Sequence, residues 1–570
     1  MQRLLRDFLV VFVPWLTFAC IGAHAQFHDP RALAANPLTA DSRIAPRLDG
    51  LGTVTMPVTT SNRDSQYFFD QGLRLSYGFN HSEALRSFKE AARLDPDNAM
   101  AWWGQALVLG PNINLPMMPY VAQQAWEASQ RAALLQANGN EKERSLIAAL
   151  QLRYSEESNA DQEVLNTAYA KAMAELAASY PDDPNIATLY ASAVMNLSPW
   201  NYWYRDGSPY TRTKVVMNVL QGAIESNPEH TGALHYYIHI TESQIPKQAE
   251  AAADQLDGLA PGAGHLVHMP SHIYMRIGRY ADSYRVNRAA AKADKKYIAA
   301  CQAQGLYPVG YYPHNVHFLV WSAQFLGRSK DAMKAARKIR DEIPEFVGVQ
   351  DQVPADVRSD AWHIYETFMS QPLYTMIRFG MWDEILAETQ PARQARFMNG
   401  VWHYARGLAF VNNGGIAAAR HELGALTAIL AEQGIYEYPA SLNGAGSLLD
   451  IAMALLAGEI EAATGNYAEA ISLMERAVRL QDGLHYMEPP DWFFPSRHYL
   501  GAVLLDAGLA AQAETIYWDD LRKMPNNGFA LFGLQQAQFA QDKVAEAERT
   551  REKFADVWAD ADVELTSSRF

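Results

Sequence analysis

A small residue followed by a proline twelve positions later recurs along this chain: Ala84 with Pro96, Ala172 with Pro184, Val216 with Pro228, Ala249 with Pro261, and Ala513 with Pro525. A small side chain lets two helices approach closely. A proline lacks the N–H that a continuing helix needs, so the pair reads as the contact point and the end of a helix. Ser283 follows Ala249 by 34 residues and Ala547 follows Ala513 by 34, with weaker copies centred on Ala332, Ala419 and Ala470. A period of this length, with almost no strand signal, constrains the chain to stacked helical hairpins, roughly ten of them over most of residues 65–558.

The best copy spans Gln66–Asn98, where Gly72, Ala84, Phe88, Ala91 and Pro96 stand at characteristic spacing within "YGFNHSEALRSFKEAARLDPDNAMAWWGQAL". On these residues the chain resembles the tetratricopeptide repeat family. The resemblance implies an all-α fold, a helical-hairpin solenoid wound into a superhelix, and a role in binding peptides or assembling partners. The expected organisation is a signal peptide over 1–25, an irregular segment over 26–64, N-terminal repeats over 65–229, histidine-rich central repeats over 230–345 and C-terminal repeats over 346–570. Three aromatic-rich stretches interrupt the array: Ser198–Tyr210, Lys295–Tyr312 and His485–Gly501. Insertions in solenoids commonly gather on one face, and aromatic side chains suit the walls of a pocket.

The N-terminus carries Arg3 and Arg6, an apolar run over Phe8–Ile21 and the small-x-small triplet Ala23-His24-Ala25, the pattern of an export signal cut near Ala25. Cys20 raises lipidation as an alternative, against which stand Thr17 and Phe18, poor lipobox residues. The mature chain is therefore expected to be periplasmic or secreted, exported and bacterial in type, with no integral membrane insertion. Cys301 is then its sole cysteine, which leaves no intramolecular disulfide and rules out thiolate-held zinc or iron–sulfur sites in a monomer. A formal net charge of −15 without a long basic patch argues against nucleic acid as the main partner.

Eight of the sixteen histidines fall between His230 and His317. In the resembled family the first helix of each repeat lines the concave groove, and its second, fifth, ninth and twelfth positions point inward. Counting from Pro228, a repeat starts at Thr231, which makes His235 and His239 its fifth and ninth residues and Glu242 its twelfth. The next starts near Gly264 and places His265, His268 and His272 second, fifth and ninth; the third starts at Pro313, with His314 and His317 second and fifth. Counting back from Ala249 instead moves the first of these by one residue. Spacings of three and four put each group on one face of its helix, and His-x-x-x-His allows two imidazoles to share a metal.

The seven candidates for metal ligation are thus His235, His239, His265, His268, His272, His314 and His317. His230 precedes its helix and stands at the margin. Imidazole-rich, thiolate-free ligation suits a transition metal, here zinc or copper, as one ion or two. Glu242 is the candidate carboxylate, as ligand or general base, and would favour metal-assisted hydrolysis, whereas histidine-only ligation favours copper redox chemistry. The expected activity is a metal-dependent hydrolase or oxidoreductase acting on a small or peptide-like substrate. The alternatives are a non-catalytic scaffold that binds peptides or proteins through an aromatic-rich groove, a proton-sensitive groove, and a packed layer of histidines. His81 reads as structural, in the turn between two helices, and Gly110-Pro111-Asn112 as ordinary turn punctuation. Arg276 and Arg497 read as surface arginines, and His498 lies too far along the chain to join the others unless the superhelix closes.

Overall fold

The protein is described by a computed structural model covering residues 39, 42–117, 119–157, 159–301, 303, 307–348 and 365–570. The expected export signal lies outside these residues. By backbone packing the chain forms two compact units, one spanning Asp29–Ser322 and one containing Ala323–Phe570. The histidine-rich hairpins therefore pack with the N-terminal ones.

Both units are all-α and built of helical hairpins stacked in chain order, most helices packing on the next, in the manner of tetratricopeptide repeats. The helices of the first unit are α1 (Arg63–Tyr77), α2 (His81–Leu94), α3 (Ala99–Leu109), α4 (Pro119–Leu135), α5 (Glu141–Gln151), α6 (Gln162–Ser179), α7 (Pro184–Met195), α8 (Thr211–Ser226), α9 (Thr231–Thr241), α10 (Glu250–Leu256), α11 (Gly264–His268), α12 (Pro270–Arg276), α13 (Tyr280–Cys301) and α14 (Tyr312–Phe325), the last running across the boundary between units. In the second unit follow α15 (Ser329–Gly348), α16 (Gln371–Arg378), α17 (Trp382–Ala387), α18 (Arg396–Asn412), α19 (Ile416–Leu430), α20 (Ala445–Ala463), α21 (Tyr467–Asp482), α22 (Ser496–Asp506), α23 (Ala510–Lys523), α24 (Gly528–Phe539) and α25 (Val544–Val557). The one sheet among the described residues is a two-residue antiparallel pair, Pro439↔Gly444 and Ala440↔Asn443.

The periodic proline does more than stop a helix. Two residues after Pro96, Pro228, Pro261 and Pro525 stand Asn98, His230, Ala263 and Asn527, each the N-cap of the next helix. Asn98 and Asn527 accept backbone N–H groups of the first turn, which would otherwise lack a partner. Pro184 departs from this pattern: it is the first residue of α7 itself, capped by Asp183.

Glycine sets how closely consecutive helices approach. The Phe88 ring on α2 fills the space between Gly72 on α1 and Gly104 on α3; a β-carbon at Gly72 would lie 2.8 Å from it, and one at Gly104 would overlap it. Tyr517 on α23 is held in the same way between Gly501 on α22 and Gly533 on α24. One aromatic ring thus keys three successive helices in each unit.

The segment expected to be irregular over 26–64 is, where described, packed against the helices. Leu48 N–H donates to Gln71 Oε1 at 2.8 Å, Met56 N–H to Asp70 Oδ1 at 2.9 Å, and Gly262 N–H to the Gly50 carbonyl at 2.7 Å. The aromatic stretches have different fates. Ser198–Tyr210 folds over α9, where Trp203 Nε1 donates to the Ile240 carbonyl at 2.9 Å. In His485–Gly501, by contrast, Trp492, Phe493 and Phe494 are core of the second unit, with Phe493 stacked on Tyr374 at 4.0 Å between centroids. The apolar surface of three adjacent rings is large enough that burial wins over display.

Candidate metal centre

The site is assembled in the first unit on α9, α11, α12 and the start of α14. Every residue of α9 is buried, because neighbouring helices and the 198–210 stretch cover it, so His235 and His239 point into protein on whichever face they stand. Pro270 has no N–H to continue α11, but Met269 keeps helical dihedrals, so α12 carries on nearly the same path. That continuation brings His272 back beside His268, with Nε2 to Nε2 at 3.0 Å.

Six of the seven candidate histidines gather in two sets of three, His235/His239/His265 and His268/His272/His314; within each, one nitrogen from every ring lies within 4.8 Å of the others. The sets adjoin, with ring centroids of His239 and His272 5.5 Å apart and those of His265 and His268 5.8 Å apart. His317 is buried but belongs to neither set. His230 is the N-cap of α9: its Nδ1 accepts the Ala233 N–H at 3.1 Å and its Nε2 faces Asn185 Oδ1 at 3.1 Å. Glu242, just past the end of α9, has its Oε2 3.3 Å from Nδ1 of both His239 and His272.

Proton positions follow from the acceptors around the rings. His235 Nδ1 lies 2.6 Å from the Tyr77 carbonyl, His268 Nδ1 lies 2.8 Å from Asn287 Oδ1, and the Nδ1 atoms of His239 and His272 face the Glu242 carboxylate. The Asn287 amide is oriented by its own Nδ2, which donates to the Ser283 carbonyl at 2.7 Å. An acceptor pairs only with an N–H, so in all four rings Nδ1 carries the proton and Nε2 of the neutral ring presents a lone pair. The Nε2 atoms of His268 and His272 therefore face each other lone pair to lone pair. His265 Nε2 is 3.2 Å from His235 Nε2, while His239 Nε2 and His265 Nδ1 are buried without a hydrogen-bond partner.

A proton does not relieve this. Burial, and then the neighbouring imidazoles, hold His239, His265, His268 and His272 well below the ordinary histidine range. For His268 the order is burial, then His314, with Asn287 opposing. Burial lowers His235 and His314 to about 4. At neutral pH the six are uncharged bases.

Phenyl rings complete the site. Phe79, in the α1–α2 turn, meets all three rings of the first set, with centroids 4.5, 6.0 and 5.4 Å from His235, His239 and His265. It does so from a left-handed backbone conformation, φ +56°, which is rare for a bulky residue and needs its surroundings to hold it. Phe318 on α14 does the same for the second set, 4.6, 4.7 and 5.1 Å from His268, His272 and His314. Trp200 adds a T-shaped contact to His239 at 5.1 Å. Sequence reasoning missed Phe79, Phe318, Asn287 and the Tyr77 carbonyl. Phe318 was open to discovery as the residue four after His314; the others lie in a turn, on a second helix and in the backbone.

The remaining candidates lie elsewhere. His81 opens α2, with Nδ1 3.3 Å from Asn112 Nδ2 and its ring 6.1 Å from Phe79. Arg276 donates to the Ser243 carbonyl at 3.0 Å. Arg497 was read as a surface arginine; it is instead mostly buried and forms a two-pronged ion pair with Asp482 at 2.9 and 2.6 Å. The second unit encloses His498, whose Nε2 is 2.8 Å from Asp520 Oδ2 and whose Nδ1 is 3.2 Å from Arg378.

No family model matches the chain, and no curated protein matches it. Solved structures similar to it include human IFIT1 as a dimer with m7Gppp-AAAA, at 12% identity over 88% of this chain and 91% of that one with a TM-score of 0.31. The Cut9–Hcn1 hetero-tetramer of APC/C is 12% identical over 88% and 94%, with a TM-score of 0.25. Yeast Tom70 is 11% identical over 87% and 93%, with a TM-score of 0.24. At these scores the likeness carries no argument, and the helical class rests on the structure itself.

Proposed function

We propose that this protein is an exported metalloprotein whose two histidine sets bind a transition metal, zinc or copper, for metal-dependent hydrolytic or redox chemistry on a small or peptide-like substrate. The observation that carries the reading is the pinning of four Nδ1 protons on a carbonyl, an amide and a carboxylate, which leaves the Nε2 lone pairs of four buried, neutral imidazoles for a cation. Facing lone pairs repel unless a cation lies among them, and imidazoles with Nδ1–H on a carboxylate or carbonyl are the usual form of metal-ligating histidine. Export is supported by the Arg3–Ala25 pattern.

A bound zinc or copper ion would supply Lewis acidity or electron transfer. The chain's own part is orientation and exclusion of water. Glu242 fixes the tautomer and ring plane of His239 and His272 together, and in this reading it acts as a positioning residue. Phe79, Phe318 and Trp200 exclude water from the imidazole faces, which strengthens every electrostatic interaction there.

The test is elemental analysis of purified protein reconstituted with zinc or copper, beside a variant carrying His268→Ala and His272→Ala. Stoichiometric metal in the first, with a lower content in the second, is expected. Less than stoichiometric metal in both would sink the reading.

A further inference from the structure

We infer that the centre holds two ions of unlike access: a closed one on His235, His239 and His265, and an open one on His268, His272 and His314 where a small anion binds. This rests on reading the histidines as metal ligands.

Six imidazoles do not surround one ion here. A nitrogen-bound transition metal sits about 2.0–2.1 Å from each ligand, so the ligands of one ion lie close together, commonly three from protein at an open site. The six rings converge as two separate threes, each with its own phenyl ring, Phe79 or Phe318. The two buried nitrogens without a partner, His239 Nε2 and His265 Nδ1, both belong to the first set, and the tightest facing pair, His268 and His272, belongs to the second. Each set thus makes its own demand for a cation. Glu242 spans them, one carboxylate oxygen holding one ring from each.

The sets differ in exposure. All three imidazoles of the first are buried, with Phe79 against them and Trp200 over His239. In the second, His314 alone of the six keeps partial contact with solvent. A three-histidine ion retains a coordination position for solvent or substrate. Only at the second set does that position have a partly exposed ligand beside it. The ligand class is a small anion with a donor atom, able to pass His314 and too polar to cross the phenyl and indole cover of the first set.

The experiment uses the full chain loaded with Co(II), with azide as the probe anion. Two equivalents of cobalt by elemental analysis are expected in the unsubstituted protein. His239→Gln should retain one equivalent whose visible spectrum shifts on adding azide, and His314→Gln one equivalent whose spectrum does not. Glutamine keeps side-chain bulk and polarity; if either variant loses its helical circular dichroism, His235→Gln and His268→Gln take their places. A single equivalent in the unsubstituted protein overturns the two-ion inference while leaving the metal reading intact. So does azide response that survives in His314→Gln or vanishes in His239→Gln. No cobalt at all overturns both.

Discussion

Glu242 holds an imidazole from each histidine set, and both contacts run through a single oxygen. Glu242→Gln keeps one acceptor oxygen able to face both rings but removes the charge, so His239 and His272 both lose their charge-assisted partner. Metal affinity, measured by competition with a chromophoric chelator, should fall about 10–100-fold, the usual effect of losing such a partner. Helical content should be unchanged. A purely structural role for Glu242 would show the reverse, lost helicity with affinity intact. His230 is the contrasting residue: equally buried, yet engaged with the α9 N-terminus and Asn185, so His230→Ala should lower stability by about 1 kcal/mol, as loss of a cap does, without altering metal content. The repeat register picked out the six histidines that gather in the two sets, with His317 as a seventh that does not, because a helix face is a matter of counting. It was silent on tautomers, which depend on a carbonyl at Tyr77 and an amide at Asn287 that no spacing announces.

Among the elements, register was the most legible feature. A start at Thr231 matches α9, one near Gly264 matches α11, and one at Pro313 is one residue from the start of α14 at Tyr312. Glu242, expected as a twelfth helical position, follows the last helical residue and is better placed to reach across to α12. The aromatic stretches were less legible, since composition does not say whether a ring walls a pocket or fills a core. Phe88 offers a test of how tightly the hairpins are keyed. Gly104→Ala gains roughly 1 kcal/mol of helix propensity, but overpacking against a ring already held by Gly72 costs about 1–3 kcal/mol. The ring has no free side to yield toward, so the clash should win, and a net loss of about 1 kcal/mol or more is expected in urea unfolding. Phe79→Ala should cost more, about 3–5 kcal/mol, because a buried ring touching three imidazoles leaves a cavity.

At the scale of the whole molecule, the histidines make stability depend on pH in a definite direction. Burial lowers His235 and His314 to about 4 from an ordinary 6.5, so between those values the unfolded chain binds protons that the folded chain does not. Stability of the metal-free protein is therefore fully present above pH 6.5 and is lost as pH falls toward 4, by up to about 1.4 kcal/mol per pH unit for each such histidine. Acid titration followed by circular dichroism should show unfolding in that window, and saturating zinc should displace it downward, by about 2.7 kcal/mol of added stability at 100 times the dissociation constant. Among the described residues no helix is long and apolar enough to cross a membrane.

Phe79 and the Tyr77 carbonyl belong to the first hairpin, the histidines to hairpins that begin more than a hundred residues later, and His314 to the last helix of the unit. The six-histidine arrangement is therefore a late product of biosynthesis: no growing chain shorter than about α14 possesses it. On the proposed reading of an exported metalloprotein, the ion would come from the compartment in which the finished chain collapses, since a site absent from the extended polymer cannot carry cargo through translocation. Metal identity would then be decided by where folding is completed, as much as by what the ligands prefer.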